Sequence, residues 1–191
     1  MDTTPTFYEY ALDGSDAIVS LGDAWLQFAR ENGAPGLTRE AVLGTSVWEY
    51  IAGDSTREIY ELLFRRVRDE VQPIVLPFRC DSADRFRFME LEIAPGEGRA
   101  LRLRGRLLRE QLRPHFKLLD RFVRRSSEPL PICSVCLRVE LFGTSWVEAE
   151  EAATRLDLFG ASELPPLEYR ICADCVRAAR EAPSAAAEAR H

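Results

Sequence analysis

The stretch Arg85-Phe-Arg-Phe-Met-Glu-Leu-Glu-Ile93, the turn Pro95-Gly-Glu-Gly98 and the run Leu101-Arg-Leu-Arg-Gly-Arg-Leu107 decide the fold. In the second run Leu101, Leu103 and Leu107 alternate with Arg102, Arg104 and Arg106. Successive side chains of a strand point to opposite faces, so this alternation predicts an antiparallel strand with one face buried and the other in water. The proline and glycines between the two runs make them a hairpin. Glu90 and Glu92 then fall opposite the arginine row, where each cross-strand ion pair contributes about 0.2–1 kcal/mol.

Working upstream, Ile74 to Cys80 reads as a third strand, which Pro73 and Pro77 confine to a sheet edge or a bulge. Before it, Ile59, Leu62, Leu63 and Val67 recur at helical spacing, and Tyr60 and Phe64 widen the apolar face. Ser55 and Glu58 match a capping box at the start of that helix. Asp16 to Leu21 reads as a short strand ending at Gly22, with Asp23 as cap of a helix carrying Trp25, Leu26, Phe28 and Ala29. Thr38 to Tyr50 reads as one or two short helical turns broken at Gly44. Downstream, Pro114 and the spacing of Leu112, Phe116, Leu119 and Val123 predict a helical connector, followed by the linker Ser126-Ser-Glu-Pro129.

Two short cysteine pairs follow. Cys133-Ser-Val-Cys136 is separated by 35 residues from Cys172-Ala-Asp-Cys175. Two residues between cysteines let both thiolates of a tight turn face one ion, and a second such turn completes a four-coordinate shell. Ile132 and Ile171 introduce the pairs as if each closed a short extended segment. Structural zinc is the expectation; disulfides and four ordinary thiols are the competing readings. Ser145 and Glu148 match another capping box, for a helix to about Leu158, and a short helix is expected after Cys175. The alanine-rich end from Ala182 reads as a frayed tail.

The 191 residues are 46% hydrophobic, enough for a core in one or two domains. No apolar run is long enough to cross a bilayer. Met1 to Tyr10, with Asp2 and Glu9, lacks a signal pattern, so the cytoplasm is expected, where thiols and metal thiolates outlast disulfides. The unpaired fifth cysteine, Cys80, agrees with that compartment. A formal charge of −6 argues against nucleic-acid affinity, and residues 131–180 hold eight acidic and five basic side chains. No nucleophile–histidine arrangement, phosphate-cradling glycine loop or paired acid set marks an enzyme.

Several stretches resemble known wording. Ile18-Val-Ser-Leu-Gly-Asp-Ala-Trp25, Val42-Leu-Gly-Thr-Ser-Val-Trp48 and Pro77-Phe-Arg-Cys-Asp81 with Arg87-Phe-Met-Glu90 resemble segments of PAS sensory domains. Leu130-Pro-Ile-Cys-Ser-Val-Cys-Leu-Arg138, Trp146, Glu148 and Ile171-Cys-Ala-Asp-Cys175 resemble a cysteine-rich segment appended to bacterial signalling proteins. Glu168-Tyr-Arg170 and Ala173 depart from that segment's usual histidine and proline.

The resemblance implies an α+β chain. Residues 10–112 would form a PAS-like five-stranded antiparallel sheet with helices on one face. Residues 113–130 would be a helical connector and linker, 131–180 a small zinc-stabilised α+β module and 181–191 a disordered tail. It also implies a small-molecule pocket, with Trp25, Phe28, Trp48, Tyr60, Phe64, Phe78 and Phe88 as walls, residues that core packing explains equally well. Beside Arg79, whose charge would lower its pKa, Cys80 reads as a redox or ligand-contact thiol or as a small buried residue. Haem ligation has no pocket imidazole to use, since the two histidines are His115 and His191. The implied function is a non-enzymatic bacterial signal-transduction module, acting through a protein partner and dimerising through the PAS domain or the connector helix. The alternatives are a thiol redox sensor switched at the zinc cluster and a zinc-containing nucleic-acid binder.

Overall fold

A computed structural model describes residues 6–143 and 145–183. The hairpin forms as Arg85–Pro95 and Leu101–Leu112, antiparallel, with Glu90 opposite Arg106 and Glu92 opposite Arg104. On the polar face Arg106 holds Glu90 at 2.7 Å, and Arg104 reaches Glu92 at 3.6 Å and Glu9 at 2.6 Å. The other face buries Leu91, Ile93, Leu101 and Leu103. Numbered in chain order, the strands are β1 (Phe7–Leu12), β2 (Ile18–Leu21), β3 (Ile74–Arg79) and the hairpin strands β4 and β5. They form one antiparallel sheet in the order β2-β1-β5-β4-β3. β3 is an edge, where Pro77 removes no interior ladder bond.

The expected start at residue 10 cuts through β1, which lies between β2 and β5. Its sequence, Phe7-Tyr-Glu-Tyr-Ala-Leu12, lacks the clean alternation of β5 because most of it is half-buried on both faces. Tyr8 packs on Phe28 with ring centres 4.8 Å apart, and Tyr10 on Trp25 at 6.5 Å.

Helices α1 (Asp23–Glu31), α2 (Arg39–Val42) and α3 (Asp54–Glu70) follow β2. α3 buries Ile59, Leu63, Phe64 and Val67 in the core that includes the inner face of the sheet. Two expected caps move. Gly22, not Asp23, precedes α1, and Asp23 instead pairs with Arg39 at 2.7 Å. Gly53 caps α3 at φ 85°, and Ser55, inside the first turn, accepts a hydrogen bond from the Ile171 N–H at 3.2 Å. A capping box does form at Ser46 and Glu49, around the 3-10 turn Val47–Glu49.

The second sheet contains β6 (Leu130–Cys133), β7 (Val139–Leu141), β8 (Ser145–Val147) and β9 (Leu167–Arg170), in the order β8-β7-β6-β9. β6 and β9 are parallel, with Cys133 opposite Arg170. Two helices complete this part, α4 (Ala149–Arg155) and α5 (Ala173–Glu181). Ser145 cannot cap α4 because it pairs with Leu141 in β8, and the helix stops short of Leu158.

The helical connector does not form. β5 continues to Leu112, opposite Arg85, and only a 3-10 turn, Lys117–Leu119, follows. Tertiary partners take the polar groups that a helix would have used. The Phe116 N–H donates to the Ala83 carbonyl at 2.8 Å, and the Arg125 guanidinium holds the carbonyls of Leu118, Asp120 and Pro165. Arg113 is buried between the rings of Phe86 and Phe116, its guanidinium carbon 4.3 Å from each ring centre. The linker is pinned as well, by Ser126 N–H to Leu164 O at 2.8 Å. A dimer through a connector helix therefore has no helix to use.

The core under the first sheet continues into the cysteine part and includes Cys133, Ile171, Cys172, Ala179 and Ala182. A separate cluster, with Phe116, Leu118, Ile132, Val139 and Ala152, fills the second sheet. Ala182, expected to fray, is buried, and its carbonyl accepts from Arg66 at 3.2 Å. The rest of the expected tail, residues 184–191, lies outside the described residues. Among the described residues no helix is long and apolar enough to cross a membrane.

Candidate metal centre and the cavity beside it

Each cysteine pair is placed by a strand and a turn. Cys133 ends β6 and Cys136 sits in the tight turn to β7, where Leu137 takes φ 60°. The Cys133 N–H donates to the Arg138 carbonyl at 2.7 Å, closing that turn. In the second pair, Cys172 caps α5 and Cys175 lies in its first turn. Parallel pairing of β6 with β9 carries the two halves to the same end of the sheet.

The four sulfurs all lie within 4.8 Å of one another. Bonds of about 2.3 Å to a tetrahedral ion require sulfurs about 3.8 Å apart, and Cys136 and Cys172 are 3.8 Å apart. All five cysteines are free thiols. The Cys172 N–H donates to the Cys133 sulfur at 3.4 Å, and the Cys136 N–H also supports that sulfur.

Charge makes the same case. Hydrogen bonds from the Cys136 and Cys175 thiols hold the Cys133 pKa well below the usual thiol range. Cys136, bonded to Cys133, is pushed up to about 12, and Cys175 is raised as well by its bonds to Cys133 and Cys136. One thiolate at Cys133 thus opposes ionisation of Cys136 and Cys175, and a cation among the sulfurs would relieve that opposition. The four residues could hold a metal ion.

The cluster joins the first sheet through α3. Thr56 Oγ1 and Ser134 Oγ are 2.9 Å apart, the Arg79 backbone N–H donates to the Val135 carbonyl at 2.8 Å, and the Arg66 guanidinium donates to the carbonyls of Arg180 in α5 and of Ala182 just beyond it. Gly53 permits the close approach of β9: a Cβ there would lie 2.0 Å from the Tyr169 carbonyl oxygen.

Between α3, the β3–β4 edge and α5 lies a half-open cavity of about 390 Å³. Of the expected pocket walls, Tyr60, Phe78 and Phe88 border it. The others stand elsewhere. Trp25 and Phe28 pack on β1, and Trp48 stacks 5.4 Å from Phe64 while its indole N–H donates to Asp16. Phe64 is buried in the core.

Cys80 is apart from both sites, and burial pushes its thiol up; Arg87 is the charge opposing that rise. The expected influence of Arg79 fails because its guanidinium is turned to Asp81 and Glu148. Sequence reasoning missed Thr56, Ala178 and Ala179 as cavity walls. The small residues after the second cysteine pair are the one signal that α5 leaves space there. The protein-family models contain no match to this chain, and neither do the curated proteins.

Proposed function

We propose that the chain is a non-enzymatic signal-transduction module of PAS type, in which a structural zinc ion at Cys133, Cys136, Cys172 and Cys175 ties a cysteine-rich unit to a sensing sheet. One observation carries this reading: the sulfur cluster packs in the same core as α3 and the five-stranded sheet, so a change at the cluster has a route to the sheet through α3. The five-stranded antiparallel sheet with its helices is what the PAS resemblance implies. Four thiolates are a soft donor set suited to zinc, and a closed four-sulfur shell leaves no position for substrate. Output would pass to a protein partner in the cytoplasm.

Native mass spectrometry of protein purified without chelator tests the metal. One zinc per chain is expected, lost in Cys136→Ser and Cys175→Ser; a preparation free of metal, or holding another ion, would refute it. A redox switch is the second reading, favoured by the partial exposure of Cys136 and Cys175. In that case a peroxide takes two electrons from a thiolate pair, the pair closes as a disulfide and zinc leaves. Zinc that stays bound under mild peroxide while Cys80 oxidises would remove this alternative.

A further inference from the structure

We propose that the cavity between α3, β3–β4 and α5 binds a neutral, apolar small molecule, and that this molecule shields the metal centre when it binds. The volume of about 390 Å³ lies within the range of about 300–1,000 Å³ found for small-molecule sites. Its walls include Ile59, Leu63, Leu76, Phe78 and Leu91, and Phe88 keeps 38% of its surface in water. Apolar surface left wet at a concave site is a driving force for an apolar occupant.

The polar groups at the walls determine the ligand's charge. Among the described residues Arg79 is the one basic or carboxylate side chain bordering the cavity, and the Cys136 and Cys175 sulfurs border it too. Its guanidinium is held by Asp81 and by Glu148 at 2.7 Å, and it lies 5.5 Å and 5.7 Å from the rings of Phe86 and Phe88. The Thr56 hydroxyl is bonded to Ser134. A carboxylate entering this space would lose its hydration beside two sulfurs of the cluster, with the Arg79 guanidinium already taken by Asp81 and Glu148. A neutral body loses nothing comparable.

The link to the metal is geometric and rests on the zinc reading above. Cys133 and Cys172 are 0% and 2% exposed, whereas Cys136 and Cys175 are half-buried. Those two are also the cysteines that border the cavity. The cavity is thus one route by which a chelator or oxidant would reach these sulfurs, and an occupant would close that route. Linkage is reciprocal, so the metal also strengthens binding of the occupant if the occupant holds the metal.

Calorimetry on the full chain, purified without chelator, compares 1-octanol with octanoate; the same chain-length pair separates charge from size. Octanol is expected to bind one to one and octanoate at least about tenfold more weakly. Ala178→Trp, at an exposed wall position, and Val75→Trp, from the facing strand, each narrow the space and should weaken octanol at least about tenfold. With octanol saturating, transfer of zinc to a chromogenic chelator should slow at least about threefold. No octanol binding, or binding unchanged in both tryptophan variants, overturns the cavity site. Equal binding of octanoate overturns the neutral class, and an unchanged transfer rate overturns the shielding. A chain that carries no zinc removes the metal reading and the shielding together, while the octanol isotherm and its loss in the variants still decide the cavity.

Discussion

Gly53 shows how much can depend on one missing side chain. It starts α3 at φ 85° and lets the Tyr169 carbonyl approach to where a Cβ would sit 2.0 Å away. Gly44 offers the contrast, with φ 84° and nothing within 4 Å of a built Cβ. Gly44→Ala should cost only the backbone share, about 1 kcal/mol, and Gly53→Ala about 2–4 kcal/mol because β9 must also move. Urea unfolding of both variants checks this; equal losses would mean that the close approach carries no energy. The sequence around residue 53 reads as a capping box at Ser55, a local pattern. What the local pattern cannot reveal is that Ile171, 116 positions away, supplies the donor that Ser55 accepts.

The elements divide by where their information lies. β4 and β5 were legible because each buries one face and wets the other, which writes a period of two into the leucines and arginines. β1 was not legible, since it lies in the sheet interior and is half-buried along most of its length. The connector misled for the opposite reason: Leu112, Phe116, Leu119 and Val123 keep a helical spacing, but their segment is fixed by tertiary hydrogen bonds and ion pairs. Leu112 itself is exposed at the end of β5.

His115 belongs to this set, with its ring nitrogens 2.8 Å from Asp84 and 3.1 Å from Asp120. The Asp84 hydrogen bond, helped by the Asp120 bond and the charge of both carboxylates, raises its pKa against the desolvation that opposes it. A folded pKa above the unfolded value means that the protonated ring is favoured by folding. The stabilisation is therefore full below the unfolded pKa and fades as pH rises through the folded value. His115→Ala should lower the melting temperature at about pH 5.5 more than at about pH 9. A gap that is constant or grows towards alkaline pH would show that the ring only packs there.

At the scale of the molecule, the cysteine spacing made the four-sulfur cluster legible, and the sulfurs do converge. The cavity was not legible as a whole, because its walls come from α3, β3–β4 and α5, and no local pattern records which helix face meets which strand edge. The aromatic residues expected to surround a pocket instead fill several packing sites, which their composition alone could not distinguish.

The convergence of β6, β9 and α5 on α3 has a mechanical consequence. An ion held by the four sulfurs would cross-link the turn at Cys133–Cys136 to the start of α5, so its loss would release both at once. The contacts that depend on those two turns include Ser134 with Thr56, Val135 with Arg79 of β3 and Ile171 with Ser55. The central hairpin makes none of these contacts; its leucines share the core, but its hydrogen-bond ladder lies within the first sheet. Removing metal with a strong chelator should therefore speed amide exchange at Ile171 and Val176 by at least about tenfold, while Leu91 and Leu103 exchange nearly as before. Hydrogen exchange read by mass spectrometry separates the outcomes. Equal acceleration across the hairpin would mean that the sheet cannot stand without the ion, and no acceleration at Ile171 would mean that the sulfurs hold their positions without it.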